Sequence, residues 1–359
     1  MHNDNMILTI NPGSTSTKIA VFSGIKILFL KNIKHSVKEL EPFEEITDQF
    51  EFRRAILLKE LKEAEIEMDS IKIVVGRGGL IKPVPSGVFL VNDRLKEDLK
   101  VGILGKHASN LGGLIADDIA KSLPNAKAYI ADPVVVDELI DEARITGHPN
   151  FDKVSIFHAL NQKAVARKYA RSHFVDYESL NLIVIHLGGG ITVGAHRKGK
   201  VIDVNQGLDG DGPFSPERAG SLPSGALAKL CFSGEYTHNE VRKMITGKGG
   251  FAAYLGTNDA REVEDRVAEK DPKATLIESA MAFQIAKEIG AMYTVLDGNV
   301  DAIIFTGGMA YNDHFIKIIS RRVAKLASIS VYPGEDEMEA LAMNGLMVLN
   351  NEIEINVYK

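Results

Sequence analysis

Two arginines sit where an ordinary surface ion pair would have little use for them. Arg77 lies between Gly76 and Gly78-Gly79 at the end of an apolar run. Arg218 lies in Asp209-Gly-Asp-Gly-Pro-Phe-Ser-Pro-Glu-Arg-Ala-Gly220, a loop whose three glycines and two prolines fix its shape. A guanidinium offers planar, bidentate donors to a carboxylate or a phosphate, so both are candidates for holding an anion. Three turns rich in Gly, Ser or Thr each follow an apolar run: Asn11 to Lys18, Gly188 to Thr192 and Gly307 to Ala310. Such turns expose consecutive backbone N–H groups to phosphate oxygens. In the first, Ser14 and Ser16 add hydroxyls; Lys18 is either a fixed positive charge for the same anion or an outward strand residue. Asp132, at a strand end before Pro133, can reach a hard cation through oxygen. His158 opens a helical stretch after Ile156-Phe157, and His186 sits inside an apolar strand, where it is as readily a satisfied core residue as a catalyst. Glu335, Asp336, Glu337 and Glu339 suit a helix N-terminus, and one of them could also approach magnesium.

The elements that must position these groups alternate between strand and helix. Apolar runs at Met6–Ile10, Lys18–Phe22, Ile27–Leu30, Ile71–Val75 and Lys127–Ala131 read as strands. Thr47–Met68 and a segment marked by Leu111, Ile115 and Ile119 read as helices. In the second half, Leu182–Leu187, Ile191–His196, Val201–Val204 and Asp301–Phe305 read as strands, and Pro272–Leu296, His314–Ala327 and Glu337–Leu349 as helices. Small residues Ala340, Ala342 and Gly345 in the last helix let another backbone approach closely. This pattern predicts an α/β chain with helices covering a sheet. Laying Asn11-Pro-Gly13 on Gly188-Gly-Gly190 gives an offset of 177 residues (188 minus 11), about half of 359, and puts Thr15 on Thr192. Both turns sit between two apolar strands, which suggests a duplication.

Other chemistries are excluded by what is missing. There is no Gly-x-x-x-x-Gly-Lys-Ser/Thr phosphate loop, no Gly-x-Gly-x-x-Gly opening a helix, no Gly-x-Ser-x-Gly elbow and no Cys-x-x-Cys. A net charge of −6, from 42 basic and 48 acidic residues, gives no footprint for nucleic acid. No stretch is long and apolar enough to cross a bilayer. The single cysteine, Cys231, reads as core packing. With an opening Met-His-Asn-Asp-Asn unlike a signal peptide, it points to the cytoplasm.

Together these residues resemble the acetate and butyrate kinase family, whose members share the duplicated actin, hexokinase and heat-shock ATPase fold. Ile10-Asn-Pro-Gly-Ser-Thr-Ser-Thr-Lys18 is similar to the family's N-terminal signature, and His186-Leu-Gly-Gly-Gly190 to its second phosphate loop. Phe305-Thr-Gly-Gly308 is similar to its adenosine loop, and Asn258-Asp-Ala-Arg261 to the segment beside the adenine. The likeness runs from about Ile7 to the last helix. The Asp209–Gly220 loop and the triple-glycine turn resemble the butyrate branch. Acetate kinases carry Asn in the middle of that turn, and their other arginine comes earlier in the strand, with His near the Arg77 position.

The resemblance implies an α/β, duplicated ribonuclease H-like fold of two actin-like domains, 1–155 and 156–339, with 340–359 packing back on the first and a nucleotide cleft between them. It implies reversible, Mg²⁺-dependent transfer of the γ-phosphoryl of ATP to a short-chain carboxylate, giving an acyl phosphate and ADP. Butyrate is the first candidate, with isobutyrate, acetate and propionate as alternatives. Arg77 and Arg218 would meet the carboxylate and the transferring phosphoryl, with His158 as a further donor. Asp132 and Glu339 would bind or orient Mg²⁺, with Glu337 close by. Asn11, Ser14, Ser16 and Lys18 would steady phosphates and metal waters. His186, Gly188, Gly189, Gly190, Asp259, Ala260, Arg261, Gly307 and Gly308 would hold the nucleotide. The resemblance also implies a homodimer or larger assembly. From another class, an actin-like module that changes shape or polymerises with nucleotide would carry the same turns but need no carboxylate site. A sugar kinase of this fold would need a base for a neutral hydroxyl.

Overall fold

The computed structural model describes residues 5–359; the opening Met-His-Asn-Asp, on which the signal-peptide reading partly rests, lies outside them. The first strands are β1 (Met6–Pro12), β2 (Ser16–Ser23), β3 (Lys26–Lys34), β4 (Ile71–Arg77), β5 (Val88–Leu90) and β6 (Lys127–Ala131). There follow β7 (Asn181–Leu187), β8 (Ile191–Arg197), β9 (Lys200–Val204), β10 (Ala302–Gly307), β11 (Ser328–Pro333) and β12 (Ile355–Val357). The chain divides into two compact units, Met1–Val136 with Asp336–Lys359, and Asp137–Glu335.

In the first unit the sheet runs β12-β5-β6-β4-β1-β2-β3. Strands β1, β2 and β3 form an antiparallel meander, while β4 lies parallel to β1 and β6 parallel to β4. In the second unit the order is β11-β10-β7-β8-β9. Again the first three strands, β7 to β9, are an antiparallel meander, with β10 parallel to β7 and β11 parallel to β10. The run β3-β2-β1-β4-β6 therefore repeats in β9-β8-β7-β10-β11, which is the duplicated ribonuclease H-like architecture of the actin and hexokinase fold. The last rungs before the two equivalent turns are Pro12 with Thr17 and Leu187 with Ile191. The offset is thus 175 residues entering (187 minus 12) and 174 leaving (191 minus 17). The first turn is one residue longer than the second; the sequence offset of 177 exceeds the two structural offsets by two and three residues, and Lys18 rather than Thr15 is the counterpart of Thr192.

Alternation along the strands explains why they read as unbroken apolar runs. Leu182 and Val184 pack with Ala302 and Ile304 under the helix Ala159–Ser172, through Val165, Ala166 and Tyr169. Ile183 and Ile185 point the other way, with Ile303 and Phe305, onto Met281, Ile285 and Ile289 of the helix Pro272–Val295. In the first unit the helix Glu337–Leu349 packs on β1 and β4. A Cβ on Gly345 would lie 2.9 Å from Ile7 and 3.0 Å from Val75, so this helix seats closer than a larger residue would allow.

The division between units falls at 136/137 rather than 155/156, because the intervening segment is tied to the second unit. The Ile140 N–H donates to the Ile202 carbonyl at 3.0 Å, Glu138 pairs with Lys163 at 2.8 Å, and Lys153 with Asp203 at 2.6 Å. The helix expected over 314–327 stops at Val323, and the chain continues as β11. Cys231 is exposed, not core, on a helix Ser224–Cys231 that buries no residue. Among the described residues no helix is long and apolar enough to cross a membrane.

Candidate active site

In the second unit, parallel pairing brings the C-terminal ends of β7 and β10 side by side, so the turn Gly188–Gly190 and Gly307-Gly308 are neighbours. Carboxyl ends of parallel strands are where open α/β sheets bind ligands. Gly307 has φ +92°, and a Cβ there would fall 2.3 Å from the Leu187 carbonyl oxygen; only glycine serves. Gly308 opens a short 3-10 turn, Gly308–Tyr311. Over the first turn lies Arg218. Its Nη1 donates to the Gly207 carbonyl, and a Cβ on Gly190 would sit 2.0 Å from that nitrogen. Its Nε is buried without a hydrogen-bond partner, and burial pushes its pKa down. The Ser215 hydroxyl ties loop to turn: it donates to the Gly189 carbonyl at 2.6 Å and accepts from the Arg218 N–H at 3.2 Å. Gly210, Gly212 and Gly220 all take positive φ. Glu217, 4.0 Å from Arg218, accepts from Asn258 at 3.4 Å. The next residue, Asp259, caps the helix Ala260–Ala268 by accepting from the Arg261 N–H at 2.9 Å. Asp259 and Arg261 are exposed and Ala260 is half-buried.

His158, just before the helix Ala159–Ser172, stacks on His186 with ring centroids 3.7 Å apart and planes 10° from parallel. Its Nδ1 lies 2.9 Å from the Thr192 hydroxyl. His186 is buried, with Nδ1 on Asn161 at 2.8 Å and Nε2 3.3 Å from a Glu335 oxygen.

In the first unit Asn11 is the penultimate residue of β1, Arg77 ends β4, and Glu337 opens the last helix. Arg77 donates from Nη1 to Asn11 Oδ1 at 3.2 Å and to Glu337 Oε2 at 3.1 Å. The Asn11 amide donates to the same Glu337 oxygen at 2.5 Å. Asp132, the residue after β6, is buried with φ +37°, an unfavourable conformation for a residue with a side chain. Its Oδ1 accepts from the Ser86 hydroxyl at 2.6 Å and the Gly87 N–H at 2.9 Å. The turn Gly13–Ser16 is held from behind by Arg53, which donates to the carbonyls of Gly13 (2.8 Å), Ser14 (3.0 Å) and Ser16 (2.9 Å). Arg53 also donates to Gln49 and Thr17. Burial lowers its pKa to about 10, so it stays charged at neutral pH. Ser14 is exposed; Ser16 and Lys18 are half-buried.

Among the described residues no three His, Cys, Asp or Glu side chains gather into a ready-made metal cage. Magnesium does not need one: it keeps several waters and takes one or two carboxylates with phosphate oxygens. Asp132 and Glu337, two buried carboxylates oriented by hydrogen bonds, fit that donor set.

A profile of the Acetokinase family matches residues 155–353, more than half of the chain. Butyrate kinase 2 of Clostridium acetobutylicum is 55% identical over 353 residues, 98% of this chain and 99% of that one. Butyrate kinase 1 of the same organism is 56% identical over the same shares. The chain belongs to the acetokinase family. The crystal structure of Porphyromonas gingivalis acetate kinase, at 18% identity, superposes with a TM-score of 0.78 over 96% of this chain and 100% of that one, a likeness of fold.

Within this chain the second unit gathers Arg218, Gly188 to Gly190 and Gly307-Gly308, with His158 and His186 stacked beside Thr192. The first unit gathers Asn11, Arg77 and Glu337. Glu339, two positions further along the helix, is exposed and does not share that contact. Arg53 was not expected as a site residue. Its sequence context, Phe-Arg-Arg on an amphipathic helix, is that of a solvated cation, and only folding reveals the three carbonyls it meets. Gln162, Thr192 and His196 were equally silent, since each is a single polar residue within apolar sequence.

Proposed function

We infer that this chain catalyses reversible transfer of the γ-phosphoryl group of ATP to a short-chain carboxylate, with butyrate as the substrate that its 55% and 56% identity to two butyrate kinases favours. The observation that carries the chemistry is the Arg218 guanidinium, held over the Gly188–Gly190 turn with Nε buried and unpartnered. A desolvated cation with an unused donor, placed above a glycine turn whose middle residue, Gly189, is exposed, suits a phosphate oxygen.

A carboxylate is ionised at pH 7 and needs no base to become a nucleophile. The difficulty is charge: one anion approaches another, and the transferring group spreads negative charge over its equatorial oxygens. Arg218 would neutralise that group, and His158 would donate a hydrogen bond to it. Arg77 would hold the acyl carboxylate, taking its fork from Asn11 and Glu337. Gly188 to Gly190 and Gly307-Gly308 would hold the nucleotide, with the N–H groups of Gly189, Gly190 and Gly308 toward its phosphates and ribose, since those of Gly188 and Gly307 already donate to the Gly190 and Gly334 carbonyls, and with Asp259 to Arg261 beside the base. Ser14, Ser16 and Lys18, on the turn braced by Arg53, would steady phosphate oxygens. Asp132 and Glu337 would hold Mg²⁺, whose chemistry when bound is to neutralise phosphate charge. The exposure of Glu339 and the burial of Glu337 favour Glu337 in that role.

Arg218→Ala is expected to lose roughly 10³ to 10⁵ in kcat, the range for removing a charge-stabilising arginine in phosphoryl transfer. The checks are acyl phosphate trapped as hydroxamate, and an unchanged far-UV circular dichroism spectrum. Near-wild-type turnover in a folded variant would overturn the assignment.

A further inference from the structure

We propose that Tyr177, His196, Gln162 and Thr192 form a buried positioning relay that fixes His158 as the Nε2–H tautomer, so that the nitrogen not held by Thr192 offers the transferring phosphoryl a donor and not a lone pair. This rests on the reading of His158 as a donor to that group.

The relay lies on one face of the second unit. Thr192, Gly194 and His196 alternate along β8, opposite His186, Val184 and Leu182 of β7, on the side covered by the helix Ala159–Ser172. Gln162 stands one turn after His158 on that helix, its N–H on the His158 carbonyl at 2.9 Å. Thr192, Gln162 and His196 are 0% exposed, so none of their polar atoms can turn to water instead.

Proton positions follow from the partners. The Thr192 carbonyl can only accept, so the Gln162 group bonded to it at 3.1 Å is the NH₂. The Gln162 Oε1 therefore faces His196 Nε2 at 3.0 Å, and that nitrogen must carry a proton. Burial, with Lys163 and Arg167 nearby, keeps His196 neutral. Its Nδ1 is then an acceptor, and the Tyr177 hydroxyl donates to it at 2.7 Å. At the other end, the second Gln162 N–H donates to Thr192 Oγ1 at 2.9 Å. The Thr192 hydroxyl proton is left for His158 Nδ1 at 2.9 Å. A nitrogen that accepts there carries no proton, so the His158 proton is on Nε2. Stacking on His186 holds the ring plane. Gly194 belongs to the same device: a Cβ there would fall 2.5 Å from Gln162 Oε1 and 3.2 Å from His196 Nε2, so only glycine leaves room for their bond.

A preset donor costs no reorganisation when charge develops, whereas the opposite tautomer would point a lone pair at an anion. Thr192→Val removes the hydroxyl at nearly constant shape, Gly194→Ala displaces the mobile end of Gln162, and Thr192→Ser keeps the hydroxyl. The test is ¹⁵N NMR of the full-length protein labelled in histidine, with the His158 signals identified by their loss in His158→Gln, alongside kinetics with butyrate and Mg-ATP. Expected are a protonated Nε2 and bare Nδ1 in the wild type and in Thr192→Ser. Thr192→Val and Gly194→Ala should lose that pattern, with kcat down about 10²-fold, as for a lost oxyanion donor, and KM for ATP little changed. A protonated Nδ1 in the wild type, or an unaltered pattern in both Thr192→Val and Gly194→Ala, would overturn the relay whatever the kinetics. An altered pattern with full kcat would leave the relay standing and overturn the role of His158 at the phosphoryl.

Discussion

Gly190 decides where Arg218 can lie, since any Cβ at this position would occupy the space of its guanidinium. A Cβ on Gly189, by contrast, would meet only Glu217, at an ordinary 3.5 Å. The two glycines look alike in sequence and should behave differently. Gly190→Ala is expected to displace Arg218 and lower kcat about 10²-fold, the cost of misplacing a catalytic group by an ångström. Gly189→Ala should stay within a few-fold of wild type; equal losses in the two variants would mean that the turn acts through backbone freedom instead. The same contrast explains how much of the site the sequence disclosed. Arg218 and the glycine turns were legible because rigid loops and strand-end glycines have few other uses. Arg77 was legible as an oddity, but its partners Asn11 and Glu337 lie 66 and 260 positions away, and no local pattern joins them. The proposal of Glu337 in place of Glu339 rests on helix phase, which depends on where the first turn starts.

At the scale of elements, the strands that carry the site were plain in the sequence because both faces of each sheet are covered, so apolar runs stand out. Strands β5, β11 and β12 were not, being short or half exposed, with Ser328-Ile-Ser-Val331 mixing polar and apolar residues at a sheet edge. The helix Pro272–Val295 was legible from its length and its proline start, yet it hides a titrating group. The Glu288 carboxyl is pushed up to about 7 by burial, and further by Asp211 and Asp203, against the pull of Lys153 and Lys287. A carboxyl raised from about 4.3 in the unfolded chain stabilises the fold fully below that pH, and the contribution is lost as pH rises through about 7. Glu288→Gln keeps the neutral form throughout. It should therefore be more stable than the wild type at pH 8, by ~1 kcal/mol after allowance for solvent screening, and match the wild type at pH 4.5. A stability difference that is the same at both pH values would contradict this.

For the whole molecule, the repeated five-strand order accounts for the glycine-rich turns recurring after β1 and β7, and the last helix returning to the first unit accounts for the two-part chain path. The length suggested two domains, and the turn at each meander suggested a repeat. The true offset was hidden because superposing the turns by residue type slips the register by two to three residues, which only the rungs on either side can place. What the fold leaves open between an enzyme and a nucleotide-driven shape changer is settled by product. The most direct measurement is acyl phosphate formation, trapped as hydroxamate, with Mg-ATP and acetate, propionate, butyrate, isobutyrate or valerate in turn. Acyl hydroxamate and ADP should appear in equal amounts, with the highest kcat/KM on butyrate. ATP hydrolysis without hydroxamate from any of the five acids would contradict carboxylate phosphorylation itself.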